Sequence, residues 1–434
     1  MSRPRRVGRR ALLLSLLSSG AAAALGRVPY GGKLRLSVPY ALPGIDPHDG
    51  EEPIAALLAH AVADPLFALD ARQRPYPALA AALPEATSQG TRVELRGGLR
   101  TARGRTLDAR DVVFSLRRAH QKAAAGLIAP LGTFEPDRAD ARTLWFRAAT
   151  PEQVTEALSS PLTAILPRGF SVLSPDGTGA FRAQVSRERL LLERNPNAAR
   201  GPAFLDGLEV RPAADLSQAL RAFEVSDADV GWLGAGLYRA RPGAVGFDAG
   251  VFGWLLLATG KDAAAWGAPG VAQQLVDGLA LAPLAPLGVR AVLPAARGAR
   301  WGGGAASLLV AEDPHLVQIA HGIAGQLGTP AHPIRVVPTG RRELSDRRRR
   351  GSYELMLRFV RPLQPSARGR QLTLLSAVDP RLAEHPPRAP ADLRDLLRTL
   401  PVGLLGELRL VGAHAPDVHG LGAWQLGDVY RTAT

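Results

Sequence analysis

The 434-residue chain has no cysteine. This absence excludes disulfides, thiolate metal sites and cysteine nucleophiles together, and also the cysteine on which a lipoprotein anchor is built. Lysine is almost missing too. Lys33, Lys122 and Lys261 are the only three, so arginine carries the formal charge of +14. Signatures of catalysis are equally scarce. There is no Gly-x-Ser-x-Gly elbow and no His-Glu-x-x-His helix, and Gly302-Gly303-Gly304 lacks the Lys-Ser/Thr of a phosphate loop, so it reads as a turn. His315 and His321 are six apart, on different faces of a helix, which does not suit a shared metal. His414 and His419 lie in a Gly/Pro-containing stretch, and these histidines read as surface residues. The residues therefore point away from an enzyme and call for no catalytic set, metal site or cofactor.

What remains is globular. Hydrophobic residues make up 46% and charged ones 21%, and the length suits two or three domains. The 46 Gly and 36 Pro imply many turns. Arg3, Arg5, Arg6, Arg9 and Arg10 precede a short apolar stretch, Ala11 to Ala24, that ends in small residues. Residues 1–26 thus read as a signal peptide, exported by the twin-arginine or the general route. Five charges sit in this segment, leaving +9 of the +14 for the rest. The densest basic cluster, from Arg341 to Arg350, has no interleaved aromatics and reads as a solvated helix face, with nucleic-acid binding disfavoured.

The stretch from Thr91 to Arg118 is the most informative. Val93 and Leu95 alternate with polar neighbours as in a half-buried strand, and Gly97-Gly98 turns the chain. Asp108, with Asp111 three residues on, has the spacing of a capping box, and Val112, Leu116 and Ala119 continue as an apolar stripe. Further along, strands are expected at 33–39, 141–150, 208–211 and 228–232, and helices at 54–69, 151–158 and 216–223. Residues 233–250 show no periodicity. The alternation suggests βαβ units in a mixed sheet.

Leu95-Arg96, Gly98 and the LDARDVVFSLRR helix start resemble the signature of the peptide/nickel-type extracellular solute-binding proteins (family 5) that feed ABC importers. Three later blocks resemble the same family in order: 174–206, with Gly177-Thr178-Gly179, Phe181, Glu193-Arg194-Asn195, Pro202, Leu205 and Asp206; 307–360; and the closing GLGAWQLGDVYR. The resemblance implies an α/β, two-lobe periplasmic-binding-protein-like fold of type II, the large dipeptide/oligopeptide-binding class, with a discontinuous first lobe. It places lobe I at 27–240, lobe II at 241–400 and a return to lobe I at 401–434. It also implies a monomer free in the periplasm, a small-molecule or peptide-like solute, an ABC permease complex as partner, and capture by hinge closure.

The resemblance places candidate ligand-binding residues at Tyr40, Leu42, Trp232, Trp254, Phe359 and Arg361, with core packing the alternative for each tryptophan. Peptide-binding relatives have a Trp and then an Asp after the strand that here is Tyr353–Phe359, the carboxylate pairing with the peptide's amino terminus. Phe359 can take the aromatic role, but no acidic residue occurs between Glu354 and Asp379. A buried ammonium left without its carboxylate loses about 3–5 kcal/mol. Peptides held by an amine clamp are therefore disfavoured. Arg361 offers an anion fork, or else points to solvent. Two other classes stay open: a degenerate relative serving as sensor or partner-binding protein, and a secreted hydrolase.

Overall fold

The structure is a computed structural model, described here for residues 28–232, 241–386 and 392–432. The expected signal peptide lies outside the described residues, as does the 233–240 part of the stretch read as aperiodic.

One curled sheet runs through the molecule. Its first part contains β1 (Lys33–Val38), β2 (Phe181–Val185), β3 (Leu190–Arg194), β4 (Gly207–Pro212) and β5 (Val230–Trp232). The rest is β6 (Val245–Thr259), β7 (Val289–Arg290), β8 (Ala306–Ala311), β9 (Ile334–Thr339), β10 (Leu355–Val360) and β11 (Val402–His414). The order is β9-β8-β10-β6-β11-β5-β1-β4-β3-β2, with β7 paired to β11. β6 and β11 are the long members, at 15 and 13 residues, and pair antiparallel with each other along most of their length. One end of this ribbon meets β5, and the other meets β10. It carries the chain from one half of the sheet to the other.

Alternation along the strands separates two cores. Leu255 and Leu257 of β6, with Leu355, Leu357 and Phe359 of β10, face the first core, which also holds β1, β2 and β4. Trp254, Leu256, Met356 and Val360 face the second. That second core is completed by the segment around the helix α2 (Ala109–Lys122) and its small four-stranded sheet, 85–87, 90–94, 134–136 and 143–146. Because β10 is covered on both faces, it reads as an apolar run broken by Arg358 alone.

The capping box expected at Asp108 is present. Its Oδ1 accepts from Arg110 N (2.8 Å) and Asp111 N (3.2 Å), while Asp111 Oδ2 accepts from Asp108 N (3.0 Å). Helices α3 (Pro151–Leu158), α4 (Leu216–Glu224), α5 (Val271–Asp277), α6 (Pro314–Leu327), α7 (Arg341–Arg350) and α8 (Ala367–Val378) follow.

Two expectations need correction. The helix expected at 54–69 is α1 (Pro53–Val62), and residues 67–69 form a short strand. Asp64 precedes Pro65, whose ring disfavours helical backbone at the residue before it, so the helix stops short. The stretch 233–250, read as aperiodic, contains the start of β6 from Val245. That end of the strand is short of buried side chains, with Phe247 and Ala249 half-buried between exposed neighbours, and it is held by backbone pairing with β11.

Candidate functional site

The loop 46–52, between β1 and α1, gathers four acidic residues, Asp46, Asp49, Glu51 and Glu52. Opposite it stand α7, β10 and the C-terminal half of α8. The two sides border a cavity of about 540 Å³. Six basic side chains line it, Lys122, Arg341, Arg348, Arg349, Arg358 and Arg361, against two carboxylates, Asp49 and Glu51. The cavity is electropositive, and low-dielectric walls strengthen that field.

Asp46 anchors the loop to α2. Arg118 donates to both its oxygens at 2.7 Å, and Lys122 lies 3.8 Å away. Burial pushes Asp46 up, but the Arg118 fork and Lys122 outweigh it and hold the carboxyl below its usual range. Glu51 reaches the other way. Its Oε1 meets Arg348 Nη1 at 2.6 Å and also Arg358 Nη2. Burial raises Glu51, yet the two guanidiniums prevail and keep it ionised.

Arg341, also on α7, serves three partners: Asp313 Oδ2 (2.6 Å), Glu52 Oε1 (2.9 Å) and the carbonyl of Glu51 (3.1 Å). Two buried carboxylates thus share one guanidinium, and Glu52 Oε1 receives no aligned hydrogen bond. Burial pushes Glu52 up to about 8, with Asp313 and Asp49 adding to the rise against Arg341. Three further groups on the cavity wall have atoms without a hydrogen-bond partner among the described residues: His48 Nδ1, Arg358 Nε and Ser376 Oγ.

The candidates taken from the sequence divide. Phe359 and Arg361 line this cavity; Tyr40, Leu42 and Trp254 are not among its lining residues. Phe359 lies over β6, where a Cβ on Gly253 would come within 1.8 Å of its ring, and it packs against Phe252 with centroids 5.7 Å apart. Arg361 does not point to solvent. It is 7% exposed, and its Nη1 donates to the carbonyls of Pro47 (2.9 Å) and Asp49 (2.8 Å). Burial lowers its pKa to about 10. Trp254 is buried in the second core and Leu42 in the first. Trp232 ends β5, and its side chain lies outside the described set.

Tyr40 is buried, and its hydroxyl donates to His315 Nδ1 at 2.9 Å. That ring's Nε2 faces the Leu287 carbonyl at 2.9 Å and so carries the proton. His315 is therefore no surface histidine, and burial takes its pKa to about 4. His414 is buried as well, against the Ala415 carbonyl. The Arg341–Arg350 cluster also departs from a purely solvated face. No residue of α7 is fully buried, but Arg341 and Arg348 turn into the cavity.

Sequence reasoning missed Asp49, Glu51, Arg348 and Arg358. The available signal was charge complementarity between the acidic loop 46–52 and the arginine-rich 341–350. Among the described residues no three His, Cys, Asp or Glu stand together as a metal site, and no helix is long and apolar enough to cross a membrane.

A second cavity, about 620 Å³, opens between residues 69–84, α3 and residues 364–366. Prolines and leucines dominate it, with Glu152 and Glu156 as its only charged groups. It lacks the convergent basic groups of the first.

Residues 74–239 match the model of the bacterial extracellular solute-binding proteins, family 5 Middle. Over this segment, less than half of the chain, the sequence is similar to family 5. No curated protein matches the sequence. Solved structures extend the family 5 likeness in fold to nearly the whole chain. The periplasmic binding protein DppA of Helicobacter pylori, in complex with the peptide STSA, superposes with a TM-score of 0.70 at 14% identity, covering 93% of this chain and 98% of its own. Peptide-bound OppA of Listeria monocytogenes gives 0.73 at 12%, covering 93% and 99%. AgaA of A. tumefaciens R10, in complex with agropinic acid, gives 0.70 at 14%, also covering 93% and 99%. The two-lobe periplasmic-binding-protein architecture inferred for family 5 is thus present, and both family and neighbours are described as binding proteins.

Proposed function

We propose that this chain is a family 5 solute-binding protein, the exported substrate-binding component of an ABC importer, and that it captures a small anionic solute. Its lobes would be 27–240 with 401–434, and 241–400, joined through β6 and β11. The signal segment 1–26 would deliver it to the periplasm, unlipidated. Capture would proceed by hinge closure, with contacts from both lobes favouring the closed state that the permease recognises.

The observation carrying the anionic reading is the cavity lining, six basic side chains against two acidic ones. The peptide-type clamp finds no acidic residue between Glu354 and Asp379, and the Glu51 carboxylate nearby is already engaged by two arginines. Similar folds are described with a peptide and with agropinic acid, so lining residues, not the fold, decide the ligand.

Calorimetric titration of the mature protein with dicarboxylates and with di- and tripeptides tests this. Dicarboxylates should bind and peptides should not, and X-ray scattering should show compaction on binding. Tight peptide binding without anion binding would reverse the reading. Anion binding without compaction would favour a sensor or scaffold over a carrier.

A further inference from the structure

The Glu51 contact is asymmetric in a way that bears on the ligand. Arg358 belongs to the interior of β10 and its side chain is 5% exposed; its Nη1 is tied to the Ala377 carbonyl and its Nε has no partner. It cannot swing into water. Arg348 sits beside it on a formed helix. Glu51, by contrast, hangs from a loop with its side chain 40% exposed, and Arg341 holds its backbone carbonyl independently of the side chain. Arg358 is the fixed partner, Arg348 is 29% exposed on its helix, and the carboxylate between them is the part able to leave.

A buried guanidinium without a counter-charge is strongly unfavourable, so whatever displaces Glu51 must itself be an anion. Guanidinium forks match the planar, two-oxygen acceptor of a carboxylate. We propose that the solute's own carboxylate takes the place of Glu51 across Arg348 and Arg358, with Glu51 acting as an internal stand-in while the site is free. This rests on the solute-binding role proposed above. Glu51 is then a specificity residue: it sets a threshold that only a carboxylate-bearing ligand passes. A ligand amine would be repelled, and a neutral polar group would leave Arg358 uncompensated.

The test compares the mature wild-type protein with Glu51→Gln, which keeps the shape of the side chain and removes its charge. Succinate is the probe and succinamide its neutral control, both by titration calorimetry. Succinate should bind Glu51→Gln about tenfold more tightly than wild type, while succinamide gains nothing. Glu51→Asp, which shortens the reach to the arginines, should tighten succinate by about threefold. It also serves as the deciding variant if Glu51→Gln does not fold. Equal or weaker succinate binding by the folded variant, with wild-type binding intact, overturns the exchange. Failure of wild type and variants alike to bind any carboxylate overturns the anionic reading beneath it.

Discussion

Two acid–arginine contacts arise five residues apart in one loop and differ in kind. Asp46 stays on its own side of the cavity, gripped through both oxygens by Arg118. Glu51 crosses to the opposite side and offers one oxygen to two arginines. The first has the geometry of a permanent anchor, bidentate and largely shielded. The second is half-exposed on its acidic side and buried at Arg358 on its basic side, which is the geometry of an exchangeable contact. A loop whose backbone is held at both ends while the Glu51 side chain is half-exposed can present charge to a cleft without losing its place.

The largest expected effect comes from breaking the anchor. Arg118→Met leaves Asp46 buried without its fork, with only the His48 N–H at 3.1 Å and Lys122 at 3.8 Å. It should lower unfolding stability in denaturant titrations by about 3–5 kcal/mol. A cost as small as that of a surface pair would make the two contacts equivalent and dissolve the distinction.

Glu52, between them in character, gives a smaller and pH-dependent effect. Its pKa rises from 4.5 to about 8 in the fold, so the folded state holds its proton longer than the unfolded chain does. Its contribution is complete below pH 4.5 and is lost as pH climbs through about 8. Glu52→Gln should flatten that slope and add stability on the order of 2 kcal/mol at pH 8, discounted for the nearby Arg341. Melting curves at pH 5 and pH 8 check it; an unchanged slope would show that Arg341 keeps Glu52 ionised.

The smallest effect sharpens the anchor side. Asp108 caps the helix that carries Arg118, and Asp108→Ala should cost about 1 kcal/mol without altering succinate affinity. A change in affinity would mean that α2 helps shape the cavity beyond holding Asp46.

How much of this was legible in the sequence follows from the range of each interaction. The capping box at Asp108 and Asp111 is local, so spacing alone revealed it. The Glu51–Arg358 pair spans 307 positions, and nothing in either neighbourhood advertises the other. Arg358 looked like an interruption in an apolar strand, and Arg348 like one solvated arginine among several. His315 misled for a related reason: its ring becomes a core residue only because Tyr40 and the Leu287 carbonyl, both distant in sequence, satisfy its two nitrogens. The early end of α1 was legible from Asp64-Pro65 and was passed over. Arg361 was placed at the cavity by resemblance, but its backbone partners at Pro47 and Asp49 come from the loop opposite.

The ribbon of β6 and β11 bears on movement. Its pairing register slips between Asp248 and Val251, between Val251 and Gly253, and again between Leu255 and Leu256. Irregular rungs make a two-stranded strap easiest to flex at those places. The compliant stretch therefore lies directly under the Phe359 ring, which rests on Gly253. If the halves close as proposed, the aromatic side chain at the wall of the cavity lies where that swing would be felt, and the fluorescence of a Phe359→Trp variant would gauge the angle between the halves.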